Sequence, residues 1–265
     1  MFKLLYIEWL KVKSYKTFRV LIGCFILLLP LWNYGISDCS LKLGNTGGIN
    51  LFSQAYSFSG VWQNIGFWTS YFSILIALLI IIVTTNEFQF KTHRQNIIDG
   101  WERLDFFHAK WGLVGALSLC TTIFVFILGV LFGLKYGHIS NFPGEIKYLF
   151  YTFILTLNYY SFALLVAFFF KRTGISIGAL LIYSIVLESL IGKIINWQTK
   201  GYWGNFLPLQ CSDELLPFPM LEIMKGAFLN PDNAAPSNTT YLIVSIGWIV
   251  VYYFVGRWKL LKSDW

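Results

Sequence analysis

Six apolar runs decide what this chain can become. Residues 18–36, 67–85, 112–134, 147–170, 175–195 and 240–257 each hold about 18 to 24 residues, enough to cross a hydrocarbon layer as a helix at about 1.5 Å per residue. A bilayer core offers no water to backbone N–H and C=O groups, so segments of this length cross it as helices. Composition agrees, with 56% hydrophobic residues and only 12% charged, roughly half the charged share of a soluble domain. The reading is an all-α integral membrane protein with six transmembrane helices, built as one domain over residues 1–265. The sequence holds no repeat of fixed period and no low-complexity tract. The first run lacks a small-residue cleavage site and reads as a retained span.

Charge sets the expected orientation. Six of the 20 Lys and Arg residues (Lys42, Lys135, Lys147, Lys193, Lys200 and Lys225) fall on one side of this layout, and the other fourteen fall on the side of both termini. The positive-inside bias then puts both termini in the cytoplasm. The net charge of +7 gathers at the ends of apolar runs rather than on one continuous face. It suits anionic lipid and not nucleic acid. Residues 1–17 fit a helix lying in the membrane interface, with Phe2, Leu5, Trp9 and Val12 as its apolar stripe and Lys3, Glu8, Lys11 and Ser14 elsewhere. Leu4, Ile7 and Leu10 stray onto the polar side, so a plain basic flank that fixes topology is the alternative.

Between the second and third runs lies residues 86–111, the most charge-rich stretch on the side of the termini. Phe90, Ile97, Trp101 and Leu104 recur there at helical spacing among His93, Arg94, Asn96, Asp99 and Glu102. A polar helical hairpin held against a membrane is suited to docking a partner. Glu87 opens it, placed either to act there or simply to cap the helix that follows. On the opposite side, residues 196–239 form the longest loop, and Pro208, Pro217 and Pro219 break it into short helical pieces. Trp197, Tyr202, Trp203 and Phe206 in this loop read as an aromatic belt.

Catalytic groups are sparse. His93, His108 and His138 show neither HxxxH nor HxxE spacing and do not share one side, so they are not expected to hold a metal. There is no GxxxxGK[ST] phosphate loop and no GxSxG elbow. The chain is therefore expected to be no enzyme and to bind no cofactor directly. Cys24 and Cys120 fall inside spans, whereas Cys39 and Cys211 share the far side as two free thiols or a disulfide. Glu188 is the carboxylate inside a span, where an ionisable group points to a translocation path or to an interhelical contact. Asn158 and the small residues Gly174, Gly178 and Ala179 suit close helix packing.

The layout resembles the membrane subunits of ABC exporters of the ABC-2 type. The stretch that carries the resemblance follows an E…KT.RQ…..G..R..FF..K pattern common in bacterial members, met here by Glu87, Lys91, Thr92, Arg94, Gln95, Gly100, Arg103, Phe106, Phe107 and Lys110. The resemblance implies that residues 86–111 are the coupling hairpin, with Glu87, His93, Arg94, Gln95, Asn96, Asp99, Trp101 and Arg103 facing a separate ATPase. It implies an elbow helix at residues 1–17 and partly re-entrant segments before the last span, with residues 211–226 helping to close the outer mouth. It further implies a second permease subunit, identical or not, membrane lipid around both, and ATP with magnesium held by the partner ATPase in a bacterial inner membrane. Two rivals stand beside this reading: an intramembrane transferase, and a non-transporting anchor that recruits an ATPase.

Overall fold

The computed structural model describes residues 2–37, 55–92, 95, 98, 100, 102–137, 142, 144–219 and 236–262. Among these residues the fold is helical, with no strand. A first helix, α1 (Phe2–Ser14), precedes six helices long and apolar enough to cross a membrane: α2 (Lys16–Ser37), α3 (Val61–Gln89), α4 (Arg103–Tyr136), α5 (Lys147–Phe170), α6 (Thr173–Thr199) and, after a short α7 (Gln210–Asp213), α8 (Asn238–Lys262). This is the architecture of a multi-pass membrane protein.

Helix α5 is the hub. It is apolar around its whole circumference and 67% of its most apolar window is buried, so α3, α4 and α8 all pack on it. Helix α6 is the opposite case, with 17% buried. The core is mainly aliphatic and aromatic, including Trp62, Ile65, Ile80, Phe107, Leu155 and Tyr160. Between apolar helices in lipid, hydrocarbon attraction does little to distinguish a neighbouring helix from a lipid tail, so close approach of small residues does much of the joining. At Gly66 an added Cβ would lie 2.7 Å from Thr152 Oγ1, and at Gly129 it would lie 2.3 Å from the Trp62 ring. These two glycines fix the α3–α5 and α3–α4 spacing.

All six expected spans are present, and five of them run past the expected ends. α3 continues to Gln89 and α4 starts at Arg103, so the hairpin is shorter than residues 86–111 by several residues on each side. A carboxylate of Asp105 accepts the Glu102 N–H at 3.1 Å, which closes the first turn of α4 and explains its early start. The expected close packing at Gly174 and Gly178 is not found. Nothing lies within 4 Å of a Cβ built at either, although Ala179 does pack against the core. The tight glycines are elsewhere because α6 hardly touches the bundle.

Two further expectations need correcting. In α1, Val12 is buried as expected, but Trp9 is exposed and Glu8 is fully buried. The side chains of Phe2, Lys3, Leu5 and Ser14 lie outside the described residues. In the far loop the prolines do break the chain into short pieces, a 3-10 turn at Trp203–Phe206 and then α7. Of the aromatic belt, Trp197 and Trp203 are exposed, whereas Phe206 packs on Tyr241 at 5.6 Å between ring centres.

Candidate functional site

Two polar sites are built into this apolar bundle, one at each end. The first sits at the base of the hairpin. Lys110, about two turns into α4, is 1% exposed. Its Nζ donates to Glu8 Oε2 at 2.5 Å and to Glu87 Oε1 at 2.6 Å. Lys11 adds a looser pair of contacts, 3.4 Å to Glu8 and 3.8 Å to Glu87. Two carboxylates and two ammonium groups thus neutralise one another where α1, the end of α3 and the start of α4 meet. Burial alone would push the Glu8 carboxyl above its ordinary range, but the charges of Lys110 and Lys11 win and hold it below.

Glu87 is therefore no cap for a following helix. It lies in the last turn of α3, buried and ion-paired. Sequence periodicity missed this because it sees one helix at a time, and the partners of Glu87 come from two others. Aromatic rings stiffen the same base: Phe88 meets Phe106 and Phe168 edge-on at about 6 Å, and Phe107 meets Tyr253 at 5.1 Å. Nε2 of His108 lies 3.1 Å from the Tyr253 hydroxyl, joining α4 to α8. Arg103 donates from Nη1 to the Leu261 carbonyl at 3.1 Å, a cation at the C-terminal end of a helix, where the dipole favours it.

Above this rigid base the hairpin tip is exposed. Phe90 and Ile98 are 72% and 77% exposed, and Gln95 is exposed beside them. Phe90, one of the apolar residues that recur at helical spacing here, points away from the protein. Leu104 is half-buried. His93, Arg94, Asn96, Ile97, Asp99 and Trp101 lie outside the described residues.

The second site is a cavity of about 590 Å³ at the end away from the termini. Phe67 and Tyr71 of α3, Tyr159 of α5, Glu188 and Lys193 of α6, and Asp213 of α7 are among its walls. Glu188 was expected near the outer end of its span. Because the helix continues to Thr199, it lies instead near the middle of 27 residues. A π-helical stretch, Ile182–Leu187, stands immediately before it. Such a wide turn rotates the residues that follow relative to those before, and it recurs at functional sites.

One carboxylate oxygen of Glu188 accepts the backbone N–H groups of Leu209 and Gln210, at 2.5 and 2.9 Å. This satisfies N–H groups at the start of α7 that have no partner within the helix. The contact joins α6 to α7. Asn158 does the same from α5, donating to the Pro208 carbonyl at 2.8 Å and to Ser212 Oγ at 3.1 Å. Gly192 and Gly204 complete the attachment, with backbones so close that a Cβ on Gly204 would overlap the Gly192 carbonyl. Asn196 accepts the Gly204 N–H at 2.6 Å.

Tyr159 donates to both oxygens of Asp213, at 2.8 and 3.0 Å. Burial, helped by the neighbouring charges of Glu188 and Glu214, outweighs that hydrogen bond and raises the Asp213 carboxyl to about 8. Cys211 is a free, buried thiol that accepts from Ser245 Oγ at 3.3 Å, while Cys39 lies outside the described residues. Sequence reasoning missed Asp213 and Tyr159, and it reached Lys110 only as part of a motif, without its partners. The pattern of polar residues within otherwise apolar helices was visible, but the pairing was not.

No curated protein matches this sequence. From residue 31 to residue 265, a stretch that holds the hairpin and every wall of the cavity, the sequence matches the family model described as a protein of unknown function, DUF2705, and the chain belongs to that family.

Proposed function

We propose that this chain is the permease subunit of an ABC exporter, docking a separate cytoplasmic ATPase through the hairpin between α3 and α4. The observation that carries the reading is the contrast between that hairpin's base and its tip. The base is tied into the bundle by Glu8, Glu87 and Lys110 and by rings packed edge-on, whereas Phe90 and Ile98 at the tip are bare. A stiff base under an exposed apolar tip passes a push from a partner to α1, α3 and α4 together. Differential contact with such a partner is what shifts a membrane protein between states.

In this reading both termini are cytoplasmic, a second permease subunit completes the path, and the partner holds ATP and magnesium. On the same reading His93, Arg94, Gln95, Asn96, Asp99, Trp101 and Arg103 carry the contact with the ATPase. The chain itself performs no chemistry. Its work is to turn closure of the ATPase into rearrangement of the spans.

A detergent pull-down of the chain from its native membrane tests this, with protein identification and an ATPase assay. A stoichiometric P-loop protein with ATPase activity is expected, and its recovery falls with Arg94→Glu plus Asp99→Lys. A folded chain that brings down no ATPase, or brings it down equally with that double variant, defeats the docking assignment.

A further inference from the structure

The cavity at the far end has a composition that the permease reading does not use. We propose that it binds an organic ammonium ion, a protonated amine carried on an apolar or aromatic body. Three acidic side chains, Glu188, Asp213 and Glu214, line it against the single cation of Lys193, and with Asp213 held largely protonated it is Glu188 and Glu214 that carry the negative charge. Among the described residues none of the four belongs to an ion pair with another. A volume of about 590 Å³ falls in the range of small-molecule sites, which are mostly apolar with a few placed polar groups.

The decisive residue is Glu188. It is 3% exposed, and one of its oxygens is already occupied by the Leu209 and Gln210 N–H groups. Its second oxygen has no hydrogen-bond partner among the described residues, yet the side chain lines the cavity. A carboxylate buried to this degree calls for a cationic or donor partner. The cavity is where one can arrive.

The walls suit the rest of such a molecule. Phe67 packs on Phe218 at 5.0 Å and on Tyr71 at 5.4 Å between ring centres, giving the wall a cluster of rings. Aromatic faces stabilise both an apolar body and the cation it carries. A bare metal ion fits less well. Among the described residues no three His, Cys, Asp or Glu side chains converge in a way that would hold one, so the negative charge is spread along the wall as a broad organic cation needs. The claim concerns binding and stands on the cavity, not on the hairpin or on transport.

The test uses the full chain in nanodiscs of zwitterionic lipid and equilibrium dialysis with labelled tryptamine. Tryptophol, the neutral alcohol of the same shape, is the comparison. Saturable tryptamine binding is expected, about tenfold or more tighter than the alcohol. Glu188→Gln keeps an oxygen for the Leu209 and Gln210 N–H groups and is expected to lower tryptamine affinity by about tenfold. Should that variant fail to fold, Glu214→Gln decides, with a loss of about threefold. Equal binding of amine and alcohol, no saturable binding, or an affinity unmoved in whichever variant folds overturns the proposal. Tryptamine binding without any effect on a partner ATPase supports the site and counts against the transport reading alone.

Discussion

Lys110 and Glu8 stand 102 positions apart in the sequence and 2.5 Å apart in the fold. Their contact joins a helix that precedes the first span to one that opens the third. Burying charge so deeply adds little stability by itself, because desolvation offsets much of the attraction. Its effect is on which arrangement of the helices is allowed, since any other leaves a charge unpaired.

Removing the ammonium exposes that dependence. Lys110→Met leaves Glu8 and Glu87 buried near each other, with only the looser Lys11 beside them. Thermal unfolding in detergent is expected to show a loss of about 3–5 kcal/mol. Combining Glu8→Gln, Glu87→Gln and Lys110→Met removes every stranded charge and recovers most of it. A single variant as stable as the natural chain would rule out the network as a structural tie.

Glycine positions separate by what surrounds them. Gly129→Ala drives a methyl into the Trp62 ring and is expected to cost about 1–3 kcal/mol. Gly178→Ala meets open space and is expected to change stability by less than about 0.5 kcal/mol. Measuring the two side by side in one detergent settles whether α3 and α4 approach as closely as described.

At the hairpin tip, Phe90→Asp replaces a bare ring with a charge and disturbs no packed neighbour. Folding and membrane insertion are expected to survive, as judged by size-exclusion chromatography, while recovery of the ATPase partner drops about tenfold or more. Undiminished recovery would remove Phe90 from the docking surface.

Acidity acts through Asp213. Its carboxyl sits at about 8 in the fold against about 3.9 in an unfolded chain, so between those values the folded state binds the proton and the unfolded state does not. The stabilising contribution is full below about pH 4 and is lost as pH rises through about 8. Tyr71 on α3, Tyr159 on α5, Glu188 and Lys193 on α6, and the adjoining Glu214 face the same space. Asp213→Asn keeps an acceptor for Tyr159 and is expected to flatten the fall in thermal midpoint between about pH 5 and pH 8.5. A variant whose midpoint falls as steeply as that of the natural chain would show that another group is responsible.

The spans were legible because length and hydropathy act locally, and an unbroken apolar run of about 20 residues satisfies its backbone groups in lipid by forming a helix. Their ends were not. Glu87, Arg103 and Lys110 look like residues that stop a membrane helix, yet each finds a partner on another element and is taken into a helix, Arg103 as the first residue of α4. Glu188 was legible as unusual, since a carboxylate inside a span always is. Its use was not, because the N–H groups it accepts arrive 21 and 22 positions later, in a loop whose path no periodicity describes. The roles of Glu8 and Asp213 were hidden for the same reason: each reads as an ordinary surface acid until its neighbours are known.

Helix α6 follows α5 after a two-residue link, Lys171 and Arg172, and its first turns rest on the bundle through Thr173, Ser176 and Leu180. Further along, Glu188, Gly192 and Asn196 fasten it to the segment that follows it. The lip of the cavity is thus a splice: the far half of α6 and the segment that follows it are held to one another and, through Asn158 and Tyr159, to α5, so three parts of the chain frame the mouth at once.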